Sequence, residues 1–175
     1  TANDAFKPVT RYFDRITRPE QIIQSFPAAV QTMLDPADCG PACISLSQDI
    51  QGQTFDYPED FFKEKIHAIR RPRPDEFQIK EAAEKIKASK NPIIISGGGV
   101  FYSDAMEELS KFAIKHNIPV TQTVMGYSTM KRDHSHYAGQ IGALGGKNTN
   151  SLAKQTDLAI AVGTKLADFT TGSWT

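Results

Sequence analysis

The stretch Asn91-Pro92-Ile93-Ile94-Ile95-Ser96-Gly97-Gly98-Gly99-Val100 decides how this chain folds. A β-branched run enters three consecutive glycines, and helical spacing follows. Ile93 to Ile95 is a short unbroken apolar run, as suits a strand buried on both faces of a parallel sheet. Glycines reach φ above zero and let a second backbone or a ligand come close. Downstream, Ala105, Met106, Leu109, Phe112 and Ala113 recur at helical spacing and define one buried face. Ser103 is the expected N-cap. Asp104, Glu107 and Glu108 fall in the first turn, where the helix dipole favours negative charge. Asn117 ends the helix, and Ile118-Pro119-Val120 opens the next strand. The result is a βαβ unit with its glycine loop at the carboxyl end of a strand, where open α/β sheets bind ligands. Two readings of the loop stand: a phosphate-binding loop, or a sharp strand-to-helix turn. The run does not follow G-x-G-x-x-G, and no acidic residue is placed to hold a ribose.

Further along, Thr121 to Gly126 reads as a strand that carries threonines and ends at a glycine. Tyr127 to Tyr137 is a polar loop containing Asp133, His134 and His136. His-x-His admits a metal reading, but a single nearby carboxylate and no cysteine make that the minor one. Gly139 to Lys147 is glycine-rich, a helix begins at Asn148 to Lys154, and Asp157 to Gly163 is a third strand. Strands thus end at Gly97, Gly126 and Gly163, and a further glycine loop lies at Gly142–Gly146. In a parallel sheet these ends share one edge, which is the layout of a nucleotide-type crevice.

Upstream, Asp75 caps a helix running to Ala88, with Gln78 three residues on and an apolar face of Ile79, Ala82, Ala83 and Ile86. Before it, residues 58–74 read as a linker. Arg70-Arg71-Pro72-Arg73-Pro74 is a basic, extended, solvated connector. Ile22, Ile23, Phe26, Val30 and Met33 form an earlier helical stripe, introduced by Thr17-Arg18-Pro19-Glu20 in the manner of a capping box. At Pro27 the helix either kinks or gives way to a second helix capped by Ser25. Asp35-Pro36 ends it, Gly40-Pro41 turns, and Ala42 to Ser47 is a strand. Residues 1–16 show no clean period and read as a loop or arm. One helix and one strand cannot bury a core, so residues 1–50 are expected to complete a sheet begun upstream.

With 175 residues, 39% hydrophobic and 23% charged, the chain is globular and long enough for one domain with part of another. Lys plus Arg and Asp plus Glu balance at 20 each, which argues against a nucleic-acid or anionic-membrane surface. No apolar run approaches the roughly 20 residues of a membrane helix. No signal peptide precedes Asp4, so a cytoplasmic location is expected. Cys39 and Cys43 are too few for a disulfide framework, and no histidine lies near enough for a zinc site. The chain starts at Thr1 without methionine and stops at Thr175 just after a strand-like segment. It is expected to be a piece of a longer protein.

Several of these segments together resemble the central domain of thiamine-diphosphate enzymes of the acetolactate synthase type. They are Asn91-Pro92 before the Ile run and Gly97-Gly98-Gly99; Ile118-Pro119-Val120 with Met125-Gly126; Asp133-His134; Gly139-x-x-Gly142; Asn150; and Asp157-Leu158 through Val162-Gly163 to Asp168 and Thr171-Gly172. The resemblance covers about residues 75–175. Residues 1–57 are similar to the end of that family's pyrimidine-binding domain. Asn3 to Phe6, Arg11-Tyr12, Arg15 to Pro19 and Phe169 to Trp174 look most like the members that hydrolyse a cyclic 1,2-diketone.

The resemblance implies an α/β fold with a Rossmann-like parallel sheet, incomplete at both ends. It implies a longer enzyme, a homodimer or homotetramer acting on a small molecule. In that enzyme thiamine diphosphate and Mg²⁺ are bound outside this segment. The cofactor glutamate would lie upstream and the Gly-Asp-Gly…Asn motif downstream; no Gly-Asp-Gly occurs here. The thiazolium carbanion would attack a carbonyl, and water would release the acid. No catalytic residue is expected in this segment, although Ser173 and Trp174 are candidates for the active-site mouth. Some members hold FAD or ADP at the strand-end loops. The matching positions are Gly98, Gly99, Thr123, Met125, Gly142, Gly145, Gly163, Thr164, Lys165 and Asp168. Flavin-binding members often carry arginine where Lys165 stands, and lysine lacks arginine's two-pronged grip on phosphate.

Overall fold

In the computed structural model, which describes residues 1–173, the chain opens with a short helix α1 (Ala2–Phe6) and a 3-10 turn. These lead into a strand, β1 (Tyr12–Ile16), where the sequence reads as a loop. Helix α2 (Ile22–Leu34) follows, then strand β2 (Ala42–Leu46) and a single turn α3 (Gln48–Gln51). The strands pair in parallel, Tyr12 opposite Ala42 and Ile16 opposite Leu46, so β2 does have a local partner. The buried set is small all the same: Ile16, Ser25, Ala29 and Ile50 with Pro19. Phe6, Val9, Phe26 and Met33 stay exposed.

Three local expectations change here. The helix is continuous through Pro27, and Ser25 lies inside it rather than capping a second helix. Ser25 Oγ serves Asp14 of β1 instead, where Gln21 Nε2 also donates at 3.0 and 3.1 Å. These bonds, Ser25's first, hold the Asp14 carboxyl below its ordinary range. The third change is at the capping box. Pro19 forces Arg18 to be extended, so the first turn is 3-10 and the partner shifts by one. The Thr17 N–H and hydroxyl meet Gln21 Oε1 at 3.1 and 3.3 Å, and Glu20 pairs with Arg18.

A second unit begins at Arg73. Helix α4 (Glu76–Ala88) is capped by Asp75, which accepts from the N–H groups of Phe77 and Gln78. Strand β3 (Pro92–Ser96) leads into a short helix α5 (Gly98–Tyr102), then α6 (Met106–His116). Ser103 closes α5 rather than opening α6, because the chain makes an extra turn in which the Ala105 N–H reaches Val100 O at 3.0 Å. Asp104 therefore lies outside the first turn, while Glu107 and Glu108 lie within it. Asn117 ends α6 at φ 51°. Then come β4 (Val120–Gln122), β5 (Tyr137–Gln140), α7 (Lys147–Lys154), β6 (Leu158–Val162) and α8 (Asp168–Thr171).

The four strands lie in the order β5-β4-β3-β6 and every pair is parallel, giving the expected Rossmann-like sheet. Ile94, Val100, Leu109, Ala113, Ile118, Val120 and Met130 form the core on one face. Ile93, Ile95 and Ile141 pack with Ala153 on the other, so consecutive residues of the Ile run serve opposite faces. Strand β4 stops at Gln122, short of Gly126. The Thr123 carbonyl and hydroxyl both accept from the Gly126 N–H, at 3.0 and 3.1 Å, and turn the chain. Strand β5 falls where the sequence reads as loop. Among the described residues, no helix is long and apolar enough to cross a membrane.

Asp157 ties the start of β6 to the turn before β3. Its carboxylate accepts from the Lys90 and Asn91 N–H groups at 2.7 and 3.0 Å and from the Ser89 hydroxyl. These bonds, Ser89's first, hold its acidity below the ordinary carboxylate range. A carboxylate with a depressed folded value stabilises the fold above its unfolded value and loses that contribution as pH falls through the folded one. Asp157→Asn should therefore melt below the parent chain at pH 7. The gap should close as pH drops from about 4, the unfolded aspartate value. A gap in melting temperature that is independent of pH would refute this.

Candidate functional site

The carboxyl ends of β3, β4 and β6 meet at one edge, and the loops leaving them line a cavity of about 390 Å³. Gly98, Gly99, Thr123, Met125, Gly163, Thr164 and Lys165 all line it, so seven of the ten predicted positions converge. Gly142 instead lines a neighbouring cavity of about 410 Å³ on the side of α7. Gly145 and Asp168 line neither. Tyr102, Phe169 and Thr170 also face the first cavity. The sequence places Phe169 and Thr170 in a family-like segment without assigning them to the site, and Tyr102, an aromatic on a short helix, carries no motif. Ser173 sits beyond α8 at φ 65°, and Trp174 lies outside the described residues.

Most strand-end N–H groups are already committed. Gly97 N–H donates to Val162 O at 2.9 Å, Gly99 N–H to Gly163 O at 2.8 Å, and Thr123 N–H to Ser96 O at 2.9 Å. Beneath them a buried network closes: Ser96 Oγ donates to Thr121 O and lies 2.8 Å from Thr129 Oγ1, which serves Gly126 O. The Thr123 hydroxyl already accepts from Gly126. What remains for a ligand is the mouth around Gly98, Thr164 and the exposed Lys165.

The glycine loop after β5 is occupied by the chain itself. Asn150 Oδ1 accepts from the Gly142 N–H and Nδ2 donates to Gly142 O, both at 2.9 Å. Ala143 N–H donates to Phe169 O of α8 at 2.8 Å. Gly142 stands at φ 91°, and a Cβ there would lie 1.9 Å from Phe169 O. The layout that suggests a long phosphate cradle is thus divided. One half packs α8 against the sheet edge, and the other half is open. The open half is the cavity bounded by the loops that follow β3, β4 and β6.

The ring nitrogens of the histidine pair are engaged within the chain. His134 Nδ1 accepts from the His136 N–H and its Nε2 meets Ser110 Oγ, while both nitrogens of His136 have partners in Ser135 and Asn117. Among the described residues no three His, Cys, Asp or Glu side chains are grouped to hold a metal.

Residues 79–175 match the family described as "Thiamine pyrophosphate enzyme, central domain". The chain is 49% identical over 173 residues to the 3D-(3,5/4)-trihydroxycyclohexane-1,2-dione hydrolase of Clostridium perfringens (strain 13 / Type A), covering 99% of this chain and 27% of that one. It is 46% identical over 175 residues to the Bacillus subtilis (strain 168) protein of the same name, covering all of this chain and 28% of that one. The chain thus spans little more than a quarter of the length of these relatives. Among solved structures, benzoylformate decarboxylase from Polynucleobacter necessarius superposes with a TM-score of 0.78 at 24% identity, over 96% of this chain and 31% of that one. At that identity the likeness concerns the fold alone.

Proposed function

The chain belongs to the thiamine pyrophosphate enzymes, and on that premise we propose that it is the spacer segment of a longer trihydroxycyclohexane-1,2-dione hydrolase in myo-inositol degradation. Residues 1–57 are the end of the pyrimidine-binding domain, residues 58–74 a linker, and residues 75–175 a central domain. The observation that carries this reading is the extent of the identity. It runs through residues 1–72, ahead of the segment matched by the central-domain family, to relatives that share one name. The reaction class is hydrolysis of a carbon–carbon bond beside a carbonyl, in a cytoplasmic homodimer or homotetramer. The cofactor supplies the electron sink when bound in the other domains. This segment's own contribution is as a spacer between the cofactor-binding domains rather than as a source of catalytic residues.

The test is turnover. The longer protein should open the diketone only with thiamine diphosphate and Mg²⁺ present, and residues 1–175 alone should show no turnover under the same conditions. Turnover by the short chain would overturn the spacer role. A second reading is an acetolactate synthase-like carboligase with FAD or ADP in the central domain. It is favoured by the seven predicted positions on one cavity. Flavin absorbance in the purified longer protein, with pyruvate consumed and the diketone untouched, would replace the first reading with the second.

A further inference from the structure

Residues 59–71 carry a pattern that the fold leaves unused. Glu59 and Asp60 open the stretch, Phe62, Ile66 and Ile69 recur at helical spacing, Arg70 and Arg71 close it, and Pro72 stops it. Acids at the start and bases at the end complement a helix dipole. Only the first turn forms, however. Glu59–Phe61 is a 3-10 turn, and no helix or strand runs from Phe62 to Asp75. The turn is anchored: Phe61 stacks on Tyr57 with ring centroids 5.8 Å apart, and the Tyr57 hydroxyl donates to Pro19 O at 3.2 Å. Beyond it the apolar side chains stand in water, Phe62 at 70%, Ile66 at 94% and Ile69 at 49% exposed. A helix of about a dozen residues does not sustain itself in water without a face to bury. The stripe therefore calls for a partner surface.

We propose that residues 59–70 wind into one helix when Phe62, Ile66 and Ile69 dock into an apolar, acid-rimmed groove elsewhere in the longer protein. This rests on the reading that the chain is a segment of such a protein. The charges select the partner. Wound as a helix, the segment places Lys65 along one border of the stripe and Arg70 along the other. Lys63 pairs with Asp60, whereas Lys65, Arg70 and Arg71 have no ion-pair partner among the described residues. Two copies of the stripe packed together would set base against base along the seam, which disfavours self-pairing. A groove with carboxylates on its lips meets the same bases favourably. The spacing does not suit an added strand, because an extended chain turns Phe62 and Ile66 to one side and Ile69 to the other.

The test is amide hydrogen exchange, resolved to single residues, on the longer protein and on residues 1–175. In the longer protein the amides of residues 63–70 should exchange roughly tenfold or more slowly than in the short chain, and at consecutive positions, as in a helix. Ile66→Asp in the longer protein should return them to the short-chain rate and leave the amides of β3 and β6 unchanged. Equal rates in the two proteins, or slowing at alternate residues as in an added strand, would overturn the proposal. Self-association of the short chain that Ile66→Asp abolishes would overturn it as well, by making a second copy the occupant. Equal rates and alternate slowing are read on unaltered protein and hold even if the variant does not fold. None of these outcomes touches turnover of the diketone, so the docking and the spacer reading can fail separately.

Discussion

Gly163→Ala is expected to destabilise the second unit by about 2–5 kcal/mol, against a typical total of about 5–15 kcal/mol. Gly163 directly follows β6 at φ 59°, the left-handed region, where a Cβ costs about 1–2 kcal/mol. The added atom would also lie 2.6 Å from Val100 N and 2.7 Å from Gly99 C and Cα. Every one of these neighbours is backbone, so no side chain can rotate away. Relief requires moving α5 off the end of β6, which breaks the Gly99 N–H to Gly163 O bond at 2.8 Å. Gly146→Ala is the control. Its nearest neighbour is Thr149 Oγ1 at 3.7 Å, φ is −67°, and the cost of alanine at this helix start is below about 1 kcal/mol. Denaturant midpoints should separate the two variants clearly. Equal midpoints would mean that the glycine ends of β3 and β6 are not locked together.

The same residues show what could be read without a structure. The Ile93–Ile95 run, the α6 stripe and the Asn117 stop were legible because each is a local pattern whose period matches its burial. Strand β1 was not. Its middle carries Asp14 and Arg15, and Asp14 is held by Ser25 and Gln21 of the following helix, a polar contact that leaves no apolar alternation. Strand β5 hid behind Gly139 at φ 99° and an irregular register against Val120 and Thr121. At the site, seven of the positions carried over from the family resemblance line one cavity. What they could not reveal is whose atoms fill the space beside each glycine. For Gly163 the filler is Gly99 and Val100, for Gly142 it is α8, and for Gly145 it includes Asn150. A close approach leaves the same mark in a sequence whether the visitor is a ligand or the chain's own backbone.

Asn150→Ala is the second large effect, expected at about 1–3 kcal/mol. The Asn150 amide acts like a strand partner, giving Gly142 one acceptor and one donor at 2.9 Å each. Gly142 is buried, and its carbonyl also accepts from the Gly145 N–H at 2.9 Å, so removing the amide leaves the Gly142 N–H alone unpaired, at about 1–3 kcal/mol before relaxation. Asn150→Asp should not rescue. Its carboxylate can accept from the Gly142 N–H, but its second oxygen then faces the Gly142 carbonyl with no proton between them. The consequence should extend to α8, because the next residue, Ala143, donates to Phe169 O at 2.8 Å, and Phe169 and Thr170 wall the open cavity. Hydrogen exchange at the Ala143 amide should therefore accelerate in Asn150→Ala by more than global unfolding accounts for. If it accelerates only in step with the β3 amides, the loop and α8 unfold with the sheet and the clamp has no local role. If neither changes, the Asn150 bonds contribute nothing to holding this edge, and the division of the crevice into a packed half and an open half must rest on Gly142 alone.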